Sequence, residues 1–365
     1  MTNTINQYPN SYELSDVIKD YVRQTDLLAF LRSKGIFYFN ASHEKSSELT
    51  SHILFDAEEI NRIRKIAYRE NHNYILSGVT FVSDSTFNLE DLYNNIREEE
   101  KYLKFGYNLK SLLRIADNQY EGCIEYTRKR IGKTTFLKYE LHEISFKIIK
   151  LSDFEWRLEI DGDSSNDCIE IQKLFSKIVK DQNIKYKELN ITSLTVDQTI
   201  LFFDRLAKEG LDGQWEIKDI LRLTLKNNRN DNKESNEIES SENEDEQNDK
   251  EATKEQLTGI SQAILEGKNL RENTFVHHAE KSGYLFSSMT YQFEHKENNC
   301  QLKIRAEFKG NPKLFEVSLE SCSIPSDDND LSNINSITIT EEQNYKIRSQ
   351  FWNSALSIYM DLIMK

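Results

Sequence analysis

A phosphate-binding loop is the first chemistry that this sequence suggests, because Gly132, Lys133 and Thr134 spell the end of a nucleotide-binding motif. That motif requires a glycine five positions before Gly132 and a helix after it, so that backbone N–H groups surround the phosphates. Thr127 occupies the glycine position, and residues 135–148 alternate as a strand does. The sequence therefore excludes an ATP site of this type.

The same stretch is nevertheless strongly cationic. Residues 101–138 carry nine basic and three acidic side chains, with aromatic rings interleaved among them. Such a surface can neutralise phosphates and stack bases, although a solvated turn with its rings in the core gives the same pattern. The candidate nucleic-acid-binding residues are Arg128, Lys129, Arg130 and Lys133 in a hairpin connection, assisted by Arg62, Lys65 and Arg69 on a helix at 56–70.

A metal-dependent nuclease is a further hypothesis, because Asp212, Glu216 and Lys218 provide the carboxylates and the lysine of such a site. The acidic-x-Lys pattern recurs at 294–296 and 231–233, so it carries little information. The seven histidines and four cysteines match no zinc spacing. We predict no metal, no cofactor and no catalytic residues, and an enzyme is the less favoured interpretation.

The elements that would position these residues begin with a helical region at 12–73, after a disordered start at 1–11. Thr25 is predicted to cap a helix that stops at Gly35, where a left-handed conformation favours glycine. Asp56 and Glu59 have the spacing of a capping box.

Residues 25–54 form a helix, an extended loop and a second helix, and this order resembles the DNA-binding modules of the SAP type. The resemblance implies a DNA-binding role for the helical region. An ordinary helical hairpin is the alternative, and the charges favour it. Residues 12–75 carry nine basic and ten acidic side chains, whereas DNA-binding modules usually have a basic excess.

Two α+β domains with antiparallel sheets are predicted to follow, at 74–226 and 255–365. In the first, residues 154–160 alternate strictly, with Phe154, Trp156, Leu158 and Ile160 on the face expected to be buried. In the second, a helix over 254–267 is expected before several strands and a final helix at 341–363.

An acidic linker at 227–254 is predicted to join the two domains and to be disordered. Residues 229–255 carry eleven acidic and four basic side chains, and such a composition buries too little apolar surface to fold. Half of the net charge of −14 over 365 residues therefore lies in one segment.

The start of the chain has no secretory signal, and no apolar run reaches the roughly 18 residues that a membrane span needs. We therefore expect a cytoplasmic α+β protein with reduced, mostly buried thiols and no membrane partner. The function favoured by the sequence is that of a non-catalytic adaptor or assembly protein that binds another protein. A nucleic-acid-associated accessory protein is the first alternative, and the nuclease is the second. The sequence does not determine the oligomeric state.

Overall fold

The computed structural model describes residues 8–39, 41–68, 74–83, 94, 107–129, 135–162, 164–180, 185–227, 260–309, 313–325, 334–336 and 339–364. The predicted disordered start therefore lies mostly outside the described residues, as does the acidic linker. The chain divides into two compact units. The helical unit contains the described residues of 1–73, 103–110 and 124–143, and the sheet unit contains those of 74–102, 111–123 and 144–365.

Four helices build the helical unit. Its core contains Leu14, Val17 and Ile18, which share one face as their spacing predicts, together with Phe136 and Leu137 from a turn before the fourth strand. The helices are α1 (Ser11–Tyr21), α2 (Gln24–Arg32), α3 (His43–Ser51) and α4 (Ala57–Tyr68).

The helix ends of this unit confirm two of the three predicted signals. Asp56 and Glu59 form the reciprocal capping box, with N–H to carboxylate distances of 2.9 and 2.7 Å. Gly35 has a φ of +75°, the left-handed conformation expected after a helix. The Thr25 cap was wrong, because α2 begins at Gln24 and follows Arg23, which makes no side-chain cap hydrogen bond.

The sheet is a single antiparallel array in the order β2-β3-β4-β5-β1-β11-β10-β9-β7-β8, with β6 also paired to β1 and β12 to β11. Its strands are β1 (Ile75–Val82), β2 (Tyr107–Ala116), β3 (Gln119–Lys129), β4 (Tyr139–Lys150), β5 (Glu155–Gly162), β6 (Lys185–Lys187), β7 (Trp215–Asn227), β8 (Gln262–Glu266), β9 (Tyr284–His295), β10 (Gln301–Lys309), β11 (Leu314–Pro325) and β12 (Ile334–Ser336).

Helices cover both faces of this sheet within the sheet unit. Helix α5 (Ser165–Lys180) places Phe175 against Phe146 of β4 and Phe81 of β1. The opposite face carries α6 (Val196–Glu209), α7 (Thr274–Lys281) and α8 (Glu341–Ile363). Gly78 of β1 is required beneath α8, because a Cβ there would lie 2.9 Å from the Trp352 ring.

The fold is therefore mixed α+β with a dominant sheet, but the two-domain layout is not confirmed. Ile75 and Leu76 of β1 pair with Ser318 and Val317 of β11, so strands from both predicted domains are neighbours in one sheet. Both β1 and β11 lie in the interior of the sheet, and each strand has buried side chains on both faces. The predicted domain boundaries stay a prediction.

The helix predicted over 254–267 was wrong in its described part. Residues 262–266 form β8, in which Leu265 pairs with Leu223 of β7 and Ala263 pairs with Leu225. Backbone pairing to a neighbouring strand outweighs the helical propensity of such a short segment. The final helix was predicted correctly, and α8 occupies Glu341–Ile363.

Among the described helices, none has the length and apolar character needed to cross a bilayer.

Candidate functional site

The predicted basic hairpin lies at the margin of the described residues. Arg128 and Lys129 are the last residues of β3, but their side chains are outside the described part of the chain, as are Arg130 and Lys133. The hypothesis that these cations bind a polyanion therefore stays a prediction.

Two of the assisting cations, Arg62 and Lys65, are exposed on α4. The third, Arg69, lies outside the described residues. The guanidinium of Arg62 lies 5.6 Å from the centre of the Phe30 ring, and that of Arg64 lies 4.4 Å from the Phe136 ring. These cation–π contacts hold the arginine side chains against the unit's own core. A polyanion would have to compete with that packing.

The residues of the hypothetical nuclease do not form a metal-binding cluster. Asp212 accepts a hydrogen bond from the backbone N–H of Gln214 at 3.1 Å, which is a turn role. Lys218 pairs with Glu294 of the neighbouring strand at 2.5 Å, and Glu216 is exposed. Across the described ranges, no three His, Cys, Asp or Glu side chains are placed to hold one ion.

Two buried thiols come close together, Cys300 just before β10 and Cys322 on β11. The Sγ atoms of Cys300 and Cys322 are 3.4 Å apart. Burial and the neighbouring thiol raise the pKa of Cys322 to about 12. A thiol that stays protonated near neutral pH is a poor nucleophile, so this pair has the character of core residues.

Among the large apolar side chains that the helical unit exposes are Phe37, Phe39 and Leu54, and we call these three the apolar surface. Leu54 is 98% exposed, Phe39 is 87% exposed and Phe37 is 60% exposed. Exposed apolar side chains that form a contiguous patch often mark a protein interaction site.

Two aromatic residues of the loop between α2 and α3 turn outwards. Residues 36–39 lie outside regular secondary structure, and the exposure of their side chains alternates along the chain. Ile36 and Tyr38 pack against the helical core, which leaves Phe37 and Phe39 in solvent.

One contact brings the two parts of the apolar surface into the same region. The hydroxyls of Tyr38 and Thr50 are 3.5 Å apart, so the loop lies beside the C-terminal end of α3. Phe37 and Phe39 flank Tyr38, and Leu54 follows Thr50 by four residues. The chain segments that carry Phe37, Phe39 and Leu54 therefore lie in the same region of the helical unit.

The sheet unit contains a buried polar cluster between β5 and α8. Glu159 of β5 accepts hydrogen bonds from the hydroxyls of Tyr345 and Ser349 on α8. Arg348 is 1% exposed and donates to both carboxylate oxygens of Asp161, at 2.7 and 3.2 Å. Burial and the Glu159 carboxylate raise the pKa of Tyr345.

The polar cluster acts mainly as an anchor between α8 and the sheet. Arg348 also donates to Asn344 at 2.6 Å, and Lys147 lies 4.0 Å from the centre of the Tyr345 ring. The cluster's donors and acceptors are thus used within the protein. A hydrogen-bonded buried pair of this kind fixes geometry more than it provides free groups for a reaction.

No family model and no curated protein matches the sequence. Among solved structures, the chain is similar to the di-domain ARO/CYC BexL from the BE-7585A biosynthetic pathway. That match has 9% identity and a TM-score of 0.17, and it covers 80% of this chain and 99% of the other. DynU16, from the dynemicin biosynthetic locus, matches with 10% identity and a TM-score of 0.15, over 79% and 99% of the two chains. Similarities of this size support no argument about function.

Sequence reasoning missed the apolar surface, although a signal for it was present. The run Ile36-Phe37-Tyr38-Phe39 places four consecutive large apolar or aromatic side chains in a loop. A loop on the protein surface seldom buries all of its side chains, so such a run predicts that some of the four are exposed.

Proposed function

We propose that this protein is a non-catalytic adaptor or assembly protein that binds another protein through the apolar surface of the helical unit. The exposure of Leu54, Phe39 and Phe37 is the single observation that supports the proposal. Burial of such a side chain is worth about 1.5–3 kcal/mol. Three of them are enough to form the centre of a specific interface.

The charge of the helical region favours a protein partner over a polyanion. Its basic and acidic side chains are almost equal in number, and several of its cations are already paired. Lys19 lies 2.7 Å from Glu44, and Lys34 forms an ion pair with Glu59. A partner with apolar side chains at the contact, rather than a strongly charged one, suits such a surface.

The test is a reconstituted binding measurement. The full chain is used to isolate a stoichiometric protein partner from nuclease-treated extract of its source cell, and the purified pair is then titrated. We expect the double variant Phe39→Ser/Leu54→Ser to weaken binding about 100-fold or more, since two buried anchors are lost.

The matched control is Leu201→Ser, which removes an exposed apolar side chain from α6 of the sheet unit. It should leave the affinity unchanged. Equal affinity of the double variant and the wild type would contradict the proposal. A partner that is recovered from untreated extract but not from nuclease-treated extract would favour the nucleic-acid alternative instead.

A further inference from the structure

The sheet unit has a polar face across four of its strands, β7, β9, β10 and β11. On each strand the side chains of this face alternate with residues of the hydrophobic core, such as Leu223, Met289, Ile304 and Val317. We call the residues concerned the polar sheet face: Arg222, Thr224, Ser288, Thr290, Arg305, Glu307, Glu316 and Ser318.

Two hydroxyls of the polar sheet face are buried without a hydrogen bond. Thr290 is 2% exposed and Ser288 is similarly buried, yet no described residue donates to or accepts from either side chain. A buried polar group normally has a partner, because an unpaired one loses the hydrogen bond that it makes to water. Two such groups two residues apart on β9 point to a molecule that is bound there.

Arginines stand on both sides of Thr290. The strand register pairs Thr290 with Arg222 of β7 and with Arg305 of β10. Directly opposed residues have Cβ atoms about 4.5–5.5 Å apart, so the side chains of Arg222 and Arg305 lie on either side of Thr290 on the same face of the sheet. Both side chains are partly exposed, which leaves them accessible from solvent.

The acidic neighbours use only part of each guanidinium. The Nε atom of Arg222 lies 3.1 Å from a carboxylate oxygen of Glu266. Arg305 donates a hydrogen bond from one terminal nitrogen of its guanidinium to the carboxylate of Glu307, at 2.6 Å. The Nε atoms of both arginines are buried and have no aligned acceptor among the described residues. Each arginine therefore has an Nε donor without a well-aligned acceptor in this row of the sheet.

We propose that the polar sheet face binds the oxyanion of a small molecule between Arg222 and Arg305, with the Thr290 hydroxyl as a further donor. Phosphate and carboxylate share the required chemistry, since both accept several N–H and O–H hydrogen bonds and pair well with guanidinium groups. Ser288, in the next row of the sheet, is placed for a hydroxyl or second oxygen of the same ligand. This site is independent of the apolar surface.

The experiment compares thermal unfolding of the full chain in potassium phosphate, potassium acetate and potassium chloride at equal ionic strength. A bound anion raises the melting temperature in proportion to the logarithm of its concentration above Kd. We expect phosphate or acetate, but not chloride, to do so. The better of the two identifies the class of oxyanion.

Three variants locate the effect. Arg305→Gln and Thr290→Val should each raise the Kd for the effective anion about tenfold or more, since each removes a donor. Thr290→Val should also fold at least as stably as the wild type without ligand, because it removes an unpaired hydroxyl. Arg205→Gln is the control, since Arg205 pairs with Glu209 and Asp361 on α6 and α8. It should retain the full shift.

Two results would overturn the proposal. One is a melting temperature that rises no more in phosphate or acetate than in chloride. The other is an equal rise in the wild type and in Thr290→Val, a variant chosen because its fold does not depend on the lost hydroxyl.

Discussion

Glu316 shows how the interior of the sheet changes the chemistry of a single residue. Its side chain is 2% exposed on β11 and accepts a hydrogen bond from Ser165 at 3.0 Å. Burial raises the pKa of this carboxyl group to about 7, and the neighbouring Glu307 acts in the same direction. The folded protein therefore holds this proton more tightly than the unfolded chain does.

The sign of the pH dependence follows from that difference. The contribution of Glu316 to stability is fully present below pH 4.5 and is lost as the pH rises to about 7. The loss is on the order of 3 kcal/mol, because one pKa unit corresponds to about 1.4 kcal/mol. We expect Glu316→Gln, which cannot ionise, to be more stable than the wild type at pH 8 by up to about that amount.

Urea unfolding at pH 5 and pH 8 measures the effect. Glu320→Gln on the same strand is the control, because Glu320 is exposed, and it should not alter the pH dependence. If Glu316→Gln and the wild type lost stability equally between the two pH values, the assignment of this dependence to Glu316 would be wrong.

At the scale of elements, the position of α8 on the sheet depends on the buried ion pair between Arg348 and Asp161. Removing one partner of such a pair leaves an uncompensated charge in the interior, at a cost of about 3–5 kcal/mol. We therefore expect Arg348→Met to lower the free energy of unfolding by about that amount. Chemical denaturation, monitored by tryptophan fluorescence, is a suitable measurement.

Lys346→Met provides a comparison on the same helix. Lys346 pairs with Glu342 at 3.1 Å, but both side chains are exposed, so the expected change is within about 0.5 kcal/mol. The prediction fails if the two substitutions have similar effects. The double variant Arg348→Met/Asp161→Leu should recover part of the loss, since it removes both buried charges.

At the scale of the whole molecule, the sheet joins segments that are far apart in the sequence. Strand β1 pairs with β11, and β7 pairs with β9, so residues on both sides of 228–259 contribute to one hydrophobic core. We expect a protease site inserted within 228–259 to be cut without separating the two fragments. Buried strand pairs and a shared core hold them together in the absence of a covalent link.

Size-exclusion chromatography of the cut protein, in buffer and in denaturant, tests this expectation. The fragments should elute together in buffer and apart in denaturant, and uncut protein is the reference. Separate elution in buffer would contradict the single-sheet arrangement and favour two independent domains.

The sequence by itself determined features that depend on neighbours along the chain. The extent of α8, the capping box of Asp56 and Glu59 and the left-handed Gly35 were all predicted. Each depends on periodicity or on a hydrogen bond that spans three or four residues, and such signals are local. The mixed α+β class followed from the same kind of signal.

Only the tertiary structure decided which segments are neighbours. Alternation in β5 predicted an exposed Glu159 and a buried Phe154, but Glu159 is 1% exposed beneath α8 and Phe154 is exposed. Tertiary contacts also decided three other features that the sequence did not predict: the pairing of β1 with β11, the strand at 262–266 and the exposure of Phe39. Contacts between segments more than a hundred residues apart, or the side on which a helix packs, leave no periodic trace in the sequence.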